Sequence, residues 1–153
     1  GYYEWHTVGQ QKYPYFIYPR AGGPLGFAGI AETWNGPNGE EVDTVAIVTA
    51  AAKGGLAMLH HRVPVTIAPP DFARWLDCAS DNANDVAPLM VAPADGEFVW
   101  HRVSRDVNRV GNDDARLILP LSEQQIAGEA PAPKGKPAPR KQTMPDDGQG
   151  SLF

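Results

Sequence analysis

Four side chains in the first part of the sequence have the types and spacing for proton transfer and anion binding. Glu4 sits in "GYYEW" (1–5), among Tyr2, Tyr3 and Trp5. A carboxylate in aromatic company is partly desolvated and is a usable proton donor or acceptor near neutrality. The alternation of a strand allows a second placement, with Glu4 toward solvent and Tyr3 and Trp5 inward. "MLHHRVPV" (58–65) holds His60, His61 and Arg62. One His there suits general acid–base work, and the planar Arg62 cation suits phosphate. The same run also reads as a polar turn entering a strand. Adjacent His side chains point opposite ways on a strand or tight turn, and HExxH is absent, so no metal site is expected. Thr49 lies in the apolar run "AIVTAAAKGG" (46–55), where its hydroxyl can bond a ligand or satisfy nearby backbone. That run carries neither GxGxxG nor a Walker Lys-Ser/Thr pair, so it does not predict a nucleotide cradle. Cys78 has no obvious basic neighbour to activate it and reads as a bystander. His6 and His101 sit in alternating segments and are expected at the surface.

The elements that must position these groups are mostly short strands. "YPYFIYPR" (13–20), "PLGFAGIAETW" (24–34) and "EVDTVAIVTA" (41–50) are rich in aromatic and β-branched residues and are separated by Gly, Pro and Asn. "NGPNGEE" between the second and third predicts a hairpin loop. "RVPVTI" (62–67) and "EFVWHRVS" (97–104) read as further strands. In "APPDFARWLDCA" prolines open a short amphipathic helix, with Phe72 and Trp75–Leu76 at helical spacing. The pattern predicts an α+β domain on a curved, mainly antiparallel sheet with a few short helices.

The chain has 153 residues, 42% of them hydrophobic and 20% charged, which fits one folded domain with its own core. No apolar run is long enough to span a bilayer as a helix, so no membrane partner is expected. The lone Cys78 predicts no disulfide framework and suits a reducing, cytoplasmic setting. A formal net charge of -5 argues against general nucleic-acid binding while leaving room for a local basic groove. From "AGEAPAPKGKPAPRKQTMPDDGQGSLF" (127–153) onward, Pro, Ala, Gly and Lys replace the apolar periodicity. That composition predicts a disordered tail, so the domain is expected over 1–126 and the tail over 127–153. A strand at residue 1 leaves no room for the elements that should pair with it. The chain is therefore expected to lack an N-terminal part of its fold.

Taken in order, "GYYEW", "YPYFI", "IVTAAA" ahead of "LHHRVPV", and "WHRVSRDVNRVGNDDARLILP" resemble the SRAP family. These are the SOS response-associated peptidases, or abasic-site processing proteins, and the likeness runs from residue 1 to about 121. It implies a SRAP-like, barrel-like core and the processing of abasic sites in single-stranded DNA during the DNA damage (SOS) response, at the nucleoid or replication fork. In the family, an N-terminal Cys condenses with the ring-opened sugar aldehyde to give a thiazolidine crosslink. That ring needs a thiol and a free amine on one residue. By motif, Glu4 corresponds to the family's active-site Glu, which handles protons during ring opening, and His60 to its catalytic His. Arg62 is then expected on a DNA phosphate and Thr49 along the sugar pocket. The resemblance implies no cofactor and a monomer. The family's Cys-Gly-Arg start and central Asn-x-Arg motif are not in this sequence, and the internal Cys78 has no free amine to replace them.

Two other readings stay open at this stage. One is a non-covalent single-stranded DNA module, with Arg62, Arg102, Arg105 and Arg109 lining a phosphate groove. The other is a peptidase confined to removing its own N-terminal Met, since no Ser/His/Asp or metal constellation supports general proteolysis. The terminal "QGSLF" (149–153) also resembles the bacterial sliding-clamp-binding pentapeptide. Leu152 and Phe153 would fill an apolar pocket on the clamp and Gln149 would bond at its rim.

Overall fold

The computed structural model describes residues 1–79 and 82–129. The first two strands, β1 (Tyr2–Val8) and β2 (Gln11–Pro19), form a hairpin around Gly9 and Gln10. Gly9 has φ +63, the left-handed conformation that such a tight turn needs and that glycine adopts without a steric penalty. Next come β3 (Gly29–Asn35) and β4 (Glu41–Ile47), a second hairpin, and then the short pair β5 (Thr49–Ala51) and β6 (Arg62–Pro64). Helices α1 (Phe72–Leu76) and α2 (Ala83–Val86) follow. Strand β7 (Phe98–Arg102) returns to β2, and helix α3 (Glu123–Gly128) comes last. All strand pairs are antiparallel and the largest sheet runs β1-β2-β7. The architecture is the α+β class that the residue pattern predicts.

Strand register assigns the two faces of that sheet. Tyr2 lies opposite Ile17, which lies opposite Trp100, and Glu4 lies opposite Tyr15, which lies opposite Arg102. Directly opposed residues share a face, so Tyr2, Glu4 and His6 stand with Tyr13, Tyr15, Ile17, Trp100 and Arg102. Tyr3, Trp5, Phe16, Tyr18 and His101 occupy the other face as a run of neighbouring rings, with Phe16 stacked on Tyr18 at 5.6 Å. The face that carries Glu4 is the one that packs: Ile17, Phe98 and Leu59 are buried there, flanked by Tyr2, Tyr15, Leu25, Leu56 and Trp100. The alternative placement of Glu4, toward solvent with Tyr3 and Trp5 inward, does not occur.

A second cluster, Ala28, Val65 and Ile67, ties the smaller sheets together. Ala28 N–H donates to Val65 O at 2.9 Å, Val48 N–H to Ala28 O at 2.8 Å, and Val65 N–H to Val48 O at 2.9 Å. This knot explains two departures from the expected strands. The 41–50 run divides at Val48 because its backbone changes partner there. The 24–34 run becomes a ladder only from Gly29, and Phe27 forms just a single bridge to Thr66. Helix α1 starts behind Pro69 and Pro70 as expected, with Trp75 against the second cluster and Leu76 exposed. The β3–β4 hairpin stands off both clusters, and Ile30, Trp34, Val45 and Ile47 on it are each more than half exposed.

Position 127, where composition puts the start of the tail, lies in α3. Ser122 caps this helix, its hydroxyl accepting from Gln125 N–H at 3.3 Å while Gln125 Oε1 accepts from Ser122 N–H at 2.9 Å. Such a capping box is readable as Ser-x-x-Gln. Gln149, Leu152 and Phe153 lie outside the described residues. Among the described residues no helix is long and apolar enough to cross a membrane.

Candidate active site

The site begins with two anchors that have no chemistry of their own. Leu59 is buried against Ile17 and Phe98, which pins the loop between β5 and β6 onto the Glu4 face of the large sheet. A 3-10 turn over Gly54–Met58 delivers it. Gly54 begins that turn at φ +54, and a side chain there would run into the Asp95 carboxylate, whose Oδ1 accepts Gly55 N–H at 3.2 Å. From β1, His6 reaches the same loop: its Nδ1 is 3.3 Å from Leu59 O and donates when it carries the proton. His6 also meets Tyr15 edge-on, so it is half-buried and structural rather than at the surface as expected. His101 is likewise engaged, with Nε2 2.7 Å from Ile118 O.

The residue after Leu59 is His60, and this placement brings it to Glu4. Glu4 Oε1 accepts Trp5 N–H at 2.9 Å, while Oε2 lies 3.7 Å from His60 Nδ1. That gap exceeds a direct hydrogen bond, so the pair can share a third polar atom within reach of both. His60 Nδ1 has further neighbours in Arg62 O at 3.0 Å and Arg62 N–H at 3.3 Å. A proton on Nδ1 is donated to Arg62 O, whereas an unprotonated Nδ1 accepts from Arg62 N–H. The ring can therefore change protonation without losing its partner. The Glu4 and His60 side chains are 23% and 39% exposed, open enough for a ligand to reach both.

Arg62 and Thr49 extend the constellation. Arg62 Nε donates to Thr49 Oγ1 at 2.7 Å and Nη2 donates to Thr49 O at 2.6 Å, a fork closed across the β5–β6 ladder. Two of the five guanidinium N–H donors are thereby committed and three remain. The structure thus joins Glu4 to His60, His60 to Arg62, and Arg62 to Thr49. His61 packs on His60 with ring centroids 4.3 Å apart. Among the described residues no three His, Cys, Asp or Glu side chains gather closely enough to hold a metal ion. The four arginines grouped by sequence have different partners. Arg62 holds Thr49, Arg102 and Arg105 sit over Tyr13, and Arg109 lines a separate cavity with Asp106, Asn112 and Asp114.

Sequence reasoning missed Tyr2 as part of this site. Burial, with a further contribution from the Glu4 charge, pushes its hydroxyl from an ordinary 10.0 up to about 12. Its ring is held edge-on by Phe27 at 5.8 Å and Phe98 at 6.4 Å. The sign follows from linkage: below pH 10 the hydroxyl is neutral in folded and unfolded chains alike. Between 10 and about 12 only the unfolded chain ionises, so stability falls across that window. Tyr2→Phe is expected to remove this component. Its urea midpoint should drop less than the parent's between mildly and strongly alkaline pH, and parallel pH profiles would contradict the assignment.

The family model for the SOS response associated peptidase (SRAP) matches residues 1–110. The abasic site processing protein YedK of Escherichia coli (strain K12) is 37% identical over 123 residues, covering 79% of this chain and 54% of that protein. The abasic site processing protein HMCES of Gallus gallus is 32% identical over 141 residues, covering 79% of this chain and 41% of that protein. A crystal structure of a protein from Bacteroides thetaiotaomicron superposes with a TM-score of 0.71 at 24% identity, covering 80% of this chain and 54% of the other. That likeness shows the fold. The chain spans about half the length of the curated relatives it matches.

Proposed function

The chain belongs to the SRAP family, and from that premise we propose that it processes abasic sites in single-stranded DNA, with Glu4 and His60 moving the protons. The observation that carries this reading is the approach of Glu4 Oε2 to His60 Nδ1 at 3.7 Å, with both side chains accessible. An abasic sugar is mainly a closed hemiacetal. Opening it removes a proton from the C1′ hydroxyl and adds one to the ring oxygen, yielding the aldehyde. A base and an acid placed side by side perform both transfers. Condensation with the amine of an N-terminal Cys then releases water, and addition of its thiol to the imine closes the thiazolidine. Glu4 and His60 are suited to carry the protons of these later steps as well. Cys78 supplies no such group because its nitrogen lies within the chain. Arg62, fixed by Thr49, turns its remaining donors to a phosphate, and Thr49 borders the sugar.

The test uses the protein extended by an upstream segment that begins with Cys. It should give a denaturation-resistant adduct with an abasic single strand and none with the undamaged strand. Absence of that band sinks the proposal. We also propose that Gln149, Leu152 and Phe153 dock the tail on a sliding clamp. Replacing Leu152 and Phe153 with Ala should abolish co-elution with a bacterial clamp, and unchanged co-elution would remove the assignment.

A further inference from the structure

Two arginines and a tyrosine form a second polar centre on the same sheet face as Glu4. The Arg102 guanidinium carbon lies 3.9 Å from the Tyr13 ring centroid and that of Arg105 lies 4.9 Å from it. One carboxylate serves both cations: Glu129 Oε2 is bonded to Arg102 Nη2 and lies 3.8 Å from Arg105 Nε. Arg105 Nη2 also donates to Gln11 Oε1 at 3.3 Å, an oxygen that the Tyr13 hydroxyl already uses. The three charged side chains are 15%, 27% and 19% exposed. Even so, Nε of Arg102 and of Arg105 are buried with no hydrogen-bond partner among the described residues.

This arrangement is under-supplied with anion. Among the described residues one carboxylate pairs with the two guanidinium ions, in a partly desolvated place where like charges repel strongly. The donors also outnumber the acceptors. One carboxylate offers two oxygens to two planar forks, whereas a phosphate group presents more oxygens to the same forks. Glu129 follows directly on α3 and its N–H donates to Ile126 O at 3.4 Å.

We infer that Arg102, Arg105 and Tyr13 form a phosphate-binding site that the Glu129 carboxylate occupies and a ligand phosphate displaces. The source of the phosphate rests on the reading above. Arg102 shares the cross-strand row Glu4–Tyr15–Arg102, so its backbone lies two strand spacings, roughly 10 Å, from that of Glu4. A single strand with its sugar at Glu4 reaches the arginines with a neighbouring phosphate. Glu129 is then an internal competitor that couples the root of the tail to occupancy by nucleic acid.

The test compares the full chain with its Glu129→Gln variant, using an undamaged ten-nucleotide oligothymidylate and, separately, inorganic phosphate at constant ionic strength. The variant should bind the oligonucleotide roughly tenfold more tightly, the effect of one freed charge-assisted contact. Its salt dependence should steepen by about 0.7 in the logarithmic slope. Arg105→Lys in the Glu129→Gln background should reverse the gain. Inorganic phosphate should raise the melting temperature of Glu129→Gln more than that of the parent, a readout that also reports whether the variant folds. A phosphate response without an oligonucleotide gain keeps the site and makes free phosphate its ligand. Equal affinity, slope and phosphate response in the two proteins would overturn the inference. The oligonucleotide carries no abasic site, so that failure leaves the Glu4–His60 proposal standing, and a missing crosslink leaves this one standing.

Discussion

In a protein extended to an N-terminal Cys, Glu4→Gln should slow adduct formation with abasic single-stranded DNA by about 10²–10⁴-fold, the range a positioned acid–base side chain contributes. The substitution isolates proton transfer from shape. Glutamine is nearly isosteric, and its side-chain oxygen can still accept the Trp5 N–H that Glu4 Oε1 holds at 2.9 Å. What it loses is the exchangeable proton opposite His60. His60→Ala should cost a similar factor, and the double variant should be little slower than the worse single one, because residues acting as a unit are not additive. Denaturant midpoints of the Gln variant should stay close to the parent's, since the carboxylate lies at the open edge of the core. Crosslinking within threefold of the parent would remove Glu4 from the proposed chemistry.

Phe98→Ala should destabilise the domain by about 3–5 kcal/mol, the cost of a cavity at a buried aromatic. Phe98 is 2% exposed, packs with Ile17 and Leu59, and meets Tyr2 edge-on at 6.4 Å. For a chain of this size the melting temperature should fall roughly 2–4 °C for each kcal/mol lost. The change should also reach the site, because Leu59 leans on Phe98 and His60 is the next residue. Val45→Ala on the exposed hairpin is the control: Val45 is 74% exposed and should cost no more than about 0.5 kcal/mol. A loss below about 1 kcal/mol at Phe98 would mean that this cluster does not hold the sheet and the loop together.

The sequence by itself determined the class of fold and the types of group at the candidate site. Period-two runs of aromatic and β-branched residues mark β1, β2 and β7 because strand propensity and face alternation are local properties. Glu4 and His60 stand out through the likeness of their motifs to the SRAP family, while their neighbours alone leave a solvent-facing Glu4 and a polar turn equally open. Tertiary structure decided what those patterns leave degenerate. Alternation allowed Glu4 either face, and only the packing of Ile17, Leu59 and Phe98 placed it with the core and opposite His60. The strand run through Val48 looked continuous because its residues all favour strands. Its division depends on backbone bonds to Ala28 and Val65, which no local pattern encodes. Tyr2 became part of the site through burial, and Arg102 and Arg105 became a pair through Tyr13 and Glu129. Side-chain identity and periodicity act over a few residues, whereas burial, charge pairing and the choice of face are settled by residues far away in the chain.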